Sequence, residues 1–145
     1  MSDVRIQPSP ARAAIARMFL IEDPRGRLSG GGFPSQLPFA PQRYFVVYDV
    51  PQGQVRGEHA HRRCQQLFVA LGGSVTVTAD NGVVKEEIVL DRPESALHVP
   101  PMVWTTQSGF TAGAMLLVLA SDPYDADDYI RDYDAFLALL RDGTA

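Results

Sequence analysis

The sequence predicts an all-β chain of antiparallel strands, folded as a sandwich or barrel and finished by one short helix. Three features predict it. From Arg43 onward, short runs rich in β-branched and aromatic residues alternate with turn residues, the pattern of antiparallel β architectures. Ala79-Asp80-Asn81-Gly82 separates Val75-Thr76-Val77-Thr78 from the run Val83 to Leu90, and Asn-Gly supplies the positive φ angles of a tight hairpin turn. Only after Asp125 does the spacing become helical, with Tyr133, Phe136, Leu137 and Leu140 on one face.

In chain order, residues 1–12 carry Pro8 and Pro10 and no sustained period, which predicts a loose leader before the single domain of residues 1–145. Ala13 to Leu20 suits a short strand or a helical turn, and Asp23-Pro24-Arg25-Gly26-Arg27 suits a tight turn. Gly30 to Gly32 with Pro34, Pro38 and Pro41 predicts an irregular loop, a candidate lid or dimer arm. Tyr44 to Val50 is the next strand. A further strand follows with Gly57-Glu58-His59-Ala60-His61, and its alternation, continued by twos through Arg63 and Gln65 to Leu67 and Val69, turns the histidine face apolar. Ala96 to Val99 is a strand stopped by Pro100-Pro101. Ala114 to Ala120 is a continuous apolar run that suits a strand buried on both faces. Asp125 to Ile130 opens with the acidic residues that favour helix starts and predicts a short acidic turn before the terminal helix.

The bounds are those of an ordinary folded protein: 145 residues, 46% hydrophobic and 21% charged. A formal net charge of −4 opposes nonspecific attraction to nucleic acid or an anionic membrane surface. Cys64 is the only cysteine, so an intrachain disulfide is excluded and nothing in the thiol content points to secretion. No apolar run approaches the roughly 20 residues of a membrane span, and no apolar signal core is present. A cytoplasmic protein is expected.

His59 and His61 carry the chemistry. Side chains at i and i+2 of a strand leave on the same face, so the two imidazoles converge on one spot. Imidazole titrates near pH 6.5 and can take and return a proton at neutral pH. The spacing from Gly53 through His59, His61 and Gln65 to Gly72 resembles the first motif of the cupin superfamily, whose fold is a jelly-roll β-barrel. Gln65 stands where metal cupins place a glutamate, and Thr105 stands where the second motif supplies a third histidine. Two neutral imidazoles, an amide and a hydroxyl make a poor transition-metal site, so no metal and no cofactor is expected. His98 is the one side chain that could complete such a site.

A closer resemblance rests on Asp23-Pro24-Arg25-Gly26, Arg56 to His61, Pro100 to Trp104, and the tail from Leu117 through Ala120-Ser121-Asp122-Pro123-Tyr124-Asp125 to Asp128-Tyr129-Ile130-Arg131. Together these are similar to the sugar 3,4-ketoisomerases, the WxcM-like cupins, over residues 21–136. The resemblance implies a cupin jelly-roll barrel with a short C-terminal helix. It also implies a metal-independent homodimer with exchanged strands, acting on dTDP-4-keto-6-deoxyglucose by moving the carbonyl from C4 to C3. His59 then matches the catalytic base with His61 as its relay. Arg25 and Arg56 match positions that hold the diphosphate or a developing oxyanion. Gln65, Trp104 and Thr105 complete the expected substrate contacts, Trp104 either stacking on a ring or packing in the core.

Three departures stand out. Phe45 occupies the place of a tyrosine that the resemblance pairs with the catalytic histidine, and Tyr44 and Tyr48 would reach the site only through a bulge. Thr105 stands where histidine or arginine is the family's choice, at a position tied to stereochemistry at C4. Glu58 puts a carboxylate beside the base. Tyr124, Tyr129 and Tyr133 are expected to pack the tail against the sheets, and Cys64 to be a small buried group on the face away from the histidines. The alternatives are a related nucleotide-sugar epimerase, a metal cupin completed by His98, and a nucleotide-sugar-binding protein without catalysis.

Overall fold

The computed structural model describes residues 11–143, so most of the leader expected over residues 1–12 lies outside the described residues. Two five-stranded antiparallel sheets face each other. The first has the order β1 (Ala14–Arg17), β9 (Ser95–Val99), β6 (Gln66–Gly72), β11 (Met115–Ala120), β4 (Arg43–Tyr48). The second runs β12 (Tyr129–Ile130), β5 (Arg56–His61), β10 (Trp104–Ser108), β7 (Val75–Asp80), β8 (Lys85–Leu90). The expected jelly-roll architecture is present as a sandwich whose sheets stay open: among the described residues the edge strands of one sheet do not hydrogen-bond to those of the other. Between the sheets lie Phe68, Val75, Val77, Leu97, Leu116 and Val118, all essentially without exposure.

The ambiguous segment Ala13 to Leu20 resolves as strand. Its continuation, β2 (Phe19–Asp23), turns at Pro24-Arg25 into β3 (Gly26–Gly30) and forms a hairpin that pairs with no other strand among the described residues. Phe19, Leu20, Ile21 and Leu28 on it are exposed. The proline-rich segment that follows is a loop whose Leu37 and Phe39 fold back over the outer face of the first sheet, against Leu67 and Val69. That cover explains β11: Leu116 and Val118 fill the interior, while Leu117 and Leu119 are half-buried on the other face.

The Asn-Gly hairpin joins β7 to β8, but its loop is Asn81 to Val84, closed by the pair Asp80 and Lys85. Asn81 Oδ1 accepts from the Val83 and Val84 amides at 2.9 and 2.8 Å, and Gly82 takes φ +89°. The Asn side chain thus completes a wider turn than the two-residue form.

One expectation fails at a corner. β5 ends at His61 and β6 begins at Gln66, in the other sheet, so the alternation read from His61 to Val69 does not continue through one strand. Residues 62–65 instead carry the chain from one sheet to the other. The tail also holds an unexpected element. Asp125 caps a 3₁₀ turn over Ala126–Asp128 by accepting from the Asp127 amide at 3.0 Å. Tyr129 and Ile130 then add β12 to the edge of β5 before α1 (Tyr133–Arg141) begins. Phe136 of α1 is fully buried against Ala60, Met102, Trp104 and Ile130.

Candidate active site

The site begins with a bulge in β5. Thr105 of β10 pairs with His59, but the next residue, Thr106, pairs with Gly57, leaving Glu58 as the extra residue. Gly57 and Glu58 accordingly adopt φ +88° and +57°. Glu58 is left exposed, and the Gly57 carbonyl accepts the Nδ1–H of His59 at 3.0 Å. A carbonyl only accepts, so this bond fixes the tautomer and leaves Nε2 of His59 as the base.

His61 is held the same way by a stronger acceptor. Its Nδ1–H donates to Asp128 Oδ2 at 3.0 Å, and its Nε2 is buried without a partner among the described residues. Asp128 is itself anchored by the amides of Arg63 at 2.7 Å and Cys64 at 3.2 Å. Burial alone would raise its pKa, but the Arg63 amide, His61 and the Cys64 amide outweigh it and keep the carboxyl below its ordinary range. The two imidazole rings lie 5.0 Å apart, nearly perpendicular.

Both imidazoles are held neutral. Burial pushes His61 down to about 4, the charge of a protonated His59 and that of Arg43 work in the same direction, and Asp128 opposes them. Burial also lowers His59, against the Gly57 carbonyl and assisted by Arg131 and Arg43. Two neutral rings with free Nε2 lone pairs are poised to accept protons from a bound molecule.

The wall beside them comes from the tail and from β4. Tyr129 pairs with His61 across the β5–β12 edge, and its ring lies 4.4 Å from that of His61 and 5.0 Å from that of His59. Arg43 Nη1 donates to Tyr129 Oη at 3.3 Å, with its guanidinium 5.8 Å from the Phe45 ring and 5.7 Å from the Tyr124 ring. Arg131 stacks on Tyr129 at 4.3 Å.

The predicted residues do not all gather here. His59, His61 and Thr105 do: Thr105 is buried directly opposite His59. Arg56 starts the same strand, opposite Gln107, and is exposed. Trp104 leaves β10 on the other face from Thr105 and lies under α1, 5.3 Å from the Tyr133 ring and 5.8 Å from that of Phe136. Gln65 Oε1 accepts from His98 Nε2 at 2.9 Å, next to Phe39 on the outer face of the first sheet, so His98 does not join the histidine pair. Arg25 sits at the hairpin tip, 90% exposed and paired with Asp23 at 2.7 Å. Phe45 does face the core while Tyr44 and Tyr48 point out, because β4 and β11 pair without a bulge.

Two placements depart from expectation. Cys64 is buried, but the corner brings its sulfur into the group of His61 and Asp128 rather than onto the opposite face. These three offer a nitrogen, a thiol and a carboxylate within 4.8 Å of one another. The His61–Asp128 bond and the two amides already occupy the carboxylate, and Arg43 stands 3.9 Å from the sulfur. A cation there would have to displace those contacts. Tyr129 is part of the site rather than packing alone, whereas Tyr133 packs as expected. Asp128, Arg43 and Arg131 were not read as site residues; the only sequence signal was the tail motif that contains two of them.

The family model described as FdtA, WxcM-like, C-terminal, matches residues 11–141. The chain belongs to this family. It is 40% identical over 116 residues to a TDP-4-oxo-6-deoxy-alpha-D-glucose-3,4-oxoisomerase of Aneurinibacillus thermoaerophilus, covering 80% of this chain and 84% of the relative. The structure superposes on QdtA, a sugar 3,4-ketoisomerase from Thermoanaerobacterium thermosaccharolyticum solved with TDP. That match has a TM-score of 0.87 and 32% identity, over 92% of this chain and 97% of the other. A histidine-to-asparagine variant of the same enzyme, solved with TDP-4-keto-6-deoxyglucose, also matches at 0.87 and 32%, over 90% and 94%. The FdtA-type chain described here thus shares family and fold with keto-sugar isomerases.

Proposed function

We propose that this protein is a 3,4-ketoisomerase of TDP-linked 4-keto-6-deoxyglucose, working without a metal in the cytoplasm. The observation that carries the reading is the pair of imidazoles, 5.0 Å apart, each with Nδ1 engaged by an acceptor and Nε2 left as a base. The C3 proton is acidified by the neighbouring C4 ketone. His59, the more exposed ring, removes it to give an enediol, and a proton is returned to C4 from His59 or through His61. A positioned base of this kind contributes about 10²–10⁴-fold in rate.

Supporting groups surround the pair. The Thr105 hydroxyl, opposite His59, is placed to meet a sugar oxygen, and Arg56 at the strand's start is available to the diphosphate. Arg25 is too exposed to serve the site of its own chain. The unpaired, apolar β2–β3 hairpin supports a homodimer in which this hairpin is exchanged and carries Arg25 to the partner's site. Gln65 acts through His98 as a support of the first sheet.

The test is incubation of the purified, chelator-treated protein with TDP-4-keto-6-deoxyglucose in D₂O, followed by NMR. Deuterium entering C3 and C4 together with the 3-keto product supports the reading. Tight binding of the nucleotide sugar with no exchange would instead support a binding protein without catalysis, and recovery of turnover only on adding metal would remove the metal-independent mechanism.

A further inference from the structure

The isomerisation moves two kinds of proton, and the histidines account for only one. As C3–H breaks and C4–H forms, O4 must gain a proton and O3 must lose one. We propose that Tyr129, held by Arg43, carries the oxygen-bound proton. This inference rests on the ketoisomerase reading and adds a catalytic residue to it.

The geometry supplies what this step needs. Tyr129 shares the inward face with His61, its ring touching both imidazoles at 4.4 and 5.0 Å. A sugar carbon within reach of the histidines therefore places its oxygen near the phenol. Arg131 lies on the ring at 4.3 Å, so the ring is clamped between a cation and an imidazole. Arg43 Nη1 donates to Oη at 3.3 Å. Because guanidinium has no acceptor, Tyr129 keeps its own O–H for another partner. Among the described residues that O–H donates to no acceptor.

The atoms balance. With the C3 proton on an imidazole, a C3–C4 double bond forms and O4 takes the phenolic proton. The phenolate is stabilised by the charge of Arg43. It then takes the proton of the neighbouring O3 hydroxyl as C3 becomes the ketone and the imidazolium protonates C4. The two oxygens are vicinal, so one hydroxyl reaches both, and the phenol ends as it began.

Arg43 also makes the test specific. Its guanidinium, bonded to Tyr129, is also 5.8 Å from the ring of Phe45, which faces inward on β4, so a phenol moved to position 45 would meet the same cation. Tyr129→Phe keeps the ring and its packing and removes only the hydroxyl. Its kcat is expected to fall about 100-fold, with KM within threefold of wild type and the acid limb of the pH profile, set by the histidines, unmoved. Tyr129→Phe combined with Phe45→Tyr is expected to recover at least tenfold of that loss. A Tyr129→Phe enzyme within threefold of wild-type kcat would overturn the proposal, as would a loss that displaces the acid limb and is not rescued by Phe45→Tyr, which is the behaviour of a packing residue. If the wild type itself gives no product, the ketoisomerase reading falls and this step with it.

Discussion

His61 and Asp128, 67 positions apart in the chain, meet through a 3.0 Å hydrogen bond inside the protein, and each fixes the chemical form of the other. The carboxylate holds the proton on Nδ1, and the imidazole helps keep the carboxyl ionised. Asp128→Asn keeps the shape but can present its amide N–H to the ring and reverse the tautomer. Its kcat is expected to fall by about 100-fold or more with KM little changed, as steady-state kinetics would show. The same substitution removes the group that raises His61, so the histidine limb of the pH profile should not move upward.

Stability is expected to depend on acid through the same residue. His61 is near 6.5 when unfolded and about 4 when folded, so between these values the unfolded chain binds the extra proton. Stability from this group is complete above pH ~6.5 and is lost as pH falls toward 4, by at most on the order of 3 kcal/mol. His59, lowered as well, acts in the same direction. Urea melts at pH 7.5 and pH 5 would read the difference, and a midpoint higher at pH 5 would contradict it.

Trp104 is expected to matter for stability rather than binding. It is 9% exposed and packed between β10 and α1. Trp104→Ala should cost about 3–5 kcal/mol, and Trp104→Phe less. The Phe variant should keep its KM for the nucleotide sugar within twofold. A tenfold rise in KM, without a fall in melting temperature, would return Trp104 to the ligand.

The bulge gives a stabilising prediction. Glu58 holds φ +57° as a residue with a side chain, at a cost of roughly 1 kcal/mol that glycine avoids. Glu58→Gly should raise stability by about 0.5–1 kcal/mol in denaturant melts. The pH profile should stay in place, since Glu58 is not among the groups that shift either histidine.

On the hairpin, Ile21 and Leu28 face each other across β2 and β3, both more than half exposed. Replacing both with Asp puts like charges in a direct pair and removes the apolar face. Sedimentation should then show a dimer for the wild type and a monomer for the variant, and activity should fall if Arg25 acts across the interface. A wild-type monomer with full activity would remove the exchange.

What was legible in the sequence was local. His59 and His61 lie within one strand, where alternation alone brings them together, and the Asn81-Gly82 turn carries its own signal. Trp104 and Thr105 were assigned to one site although neighbours in a strand leave on opposite faces, so only one could belong. Gln65 and Cys64 were misplaced because alternation stops at the corner of residues 62–65. Asp128 closes a 3₁₀ turn of three residues and Tyr129 opens a strand of two, both too short to have a period, so the tail motif could be noticed without its contact being foreseen.

The dependence on β12 makes this catalyst a sensitive reporter of its own edge. A two-residue strand at a sheet margin detaches at far less free energy than the sandwich needs to melt. When it lifts, the phenol departs while the interior stays intact. Warming should therefore extinguish turnover reversibly, several degrees before circular dichroism registers any change.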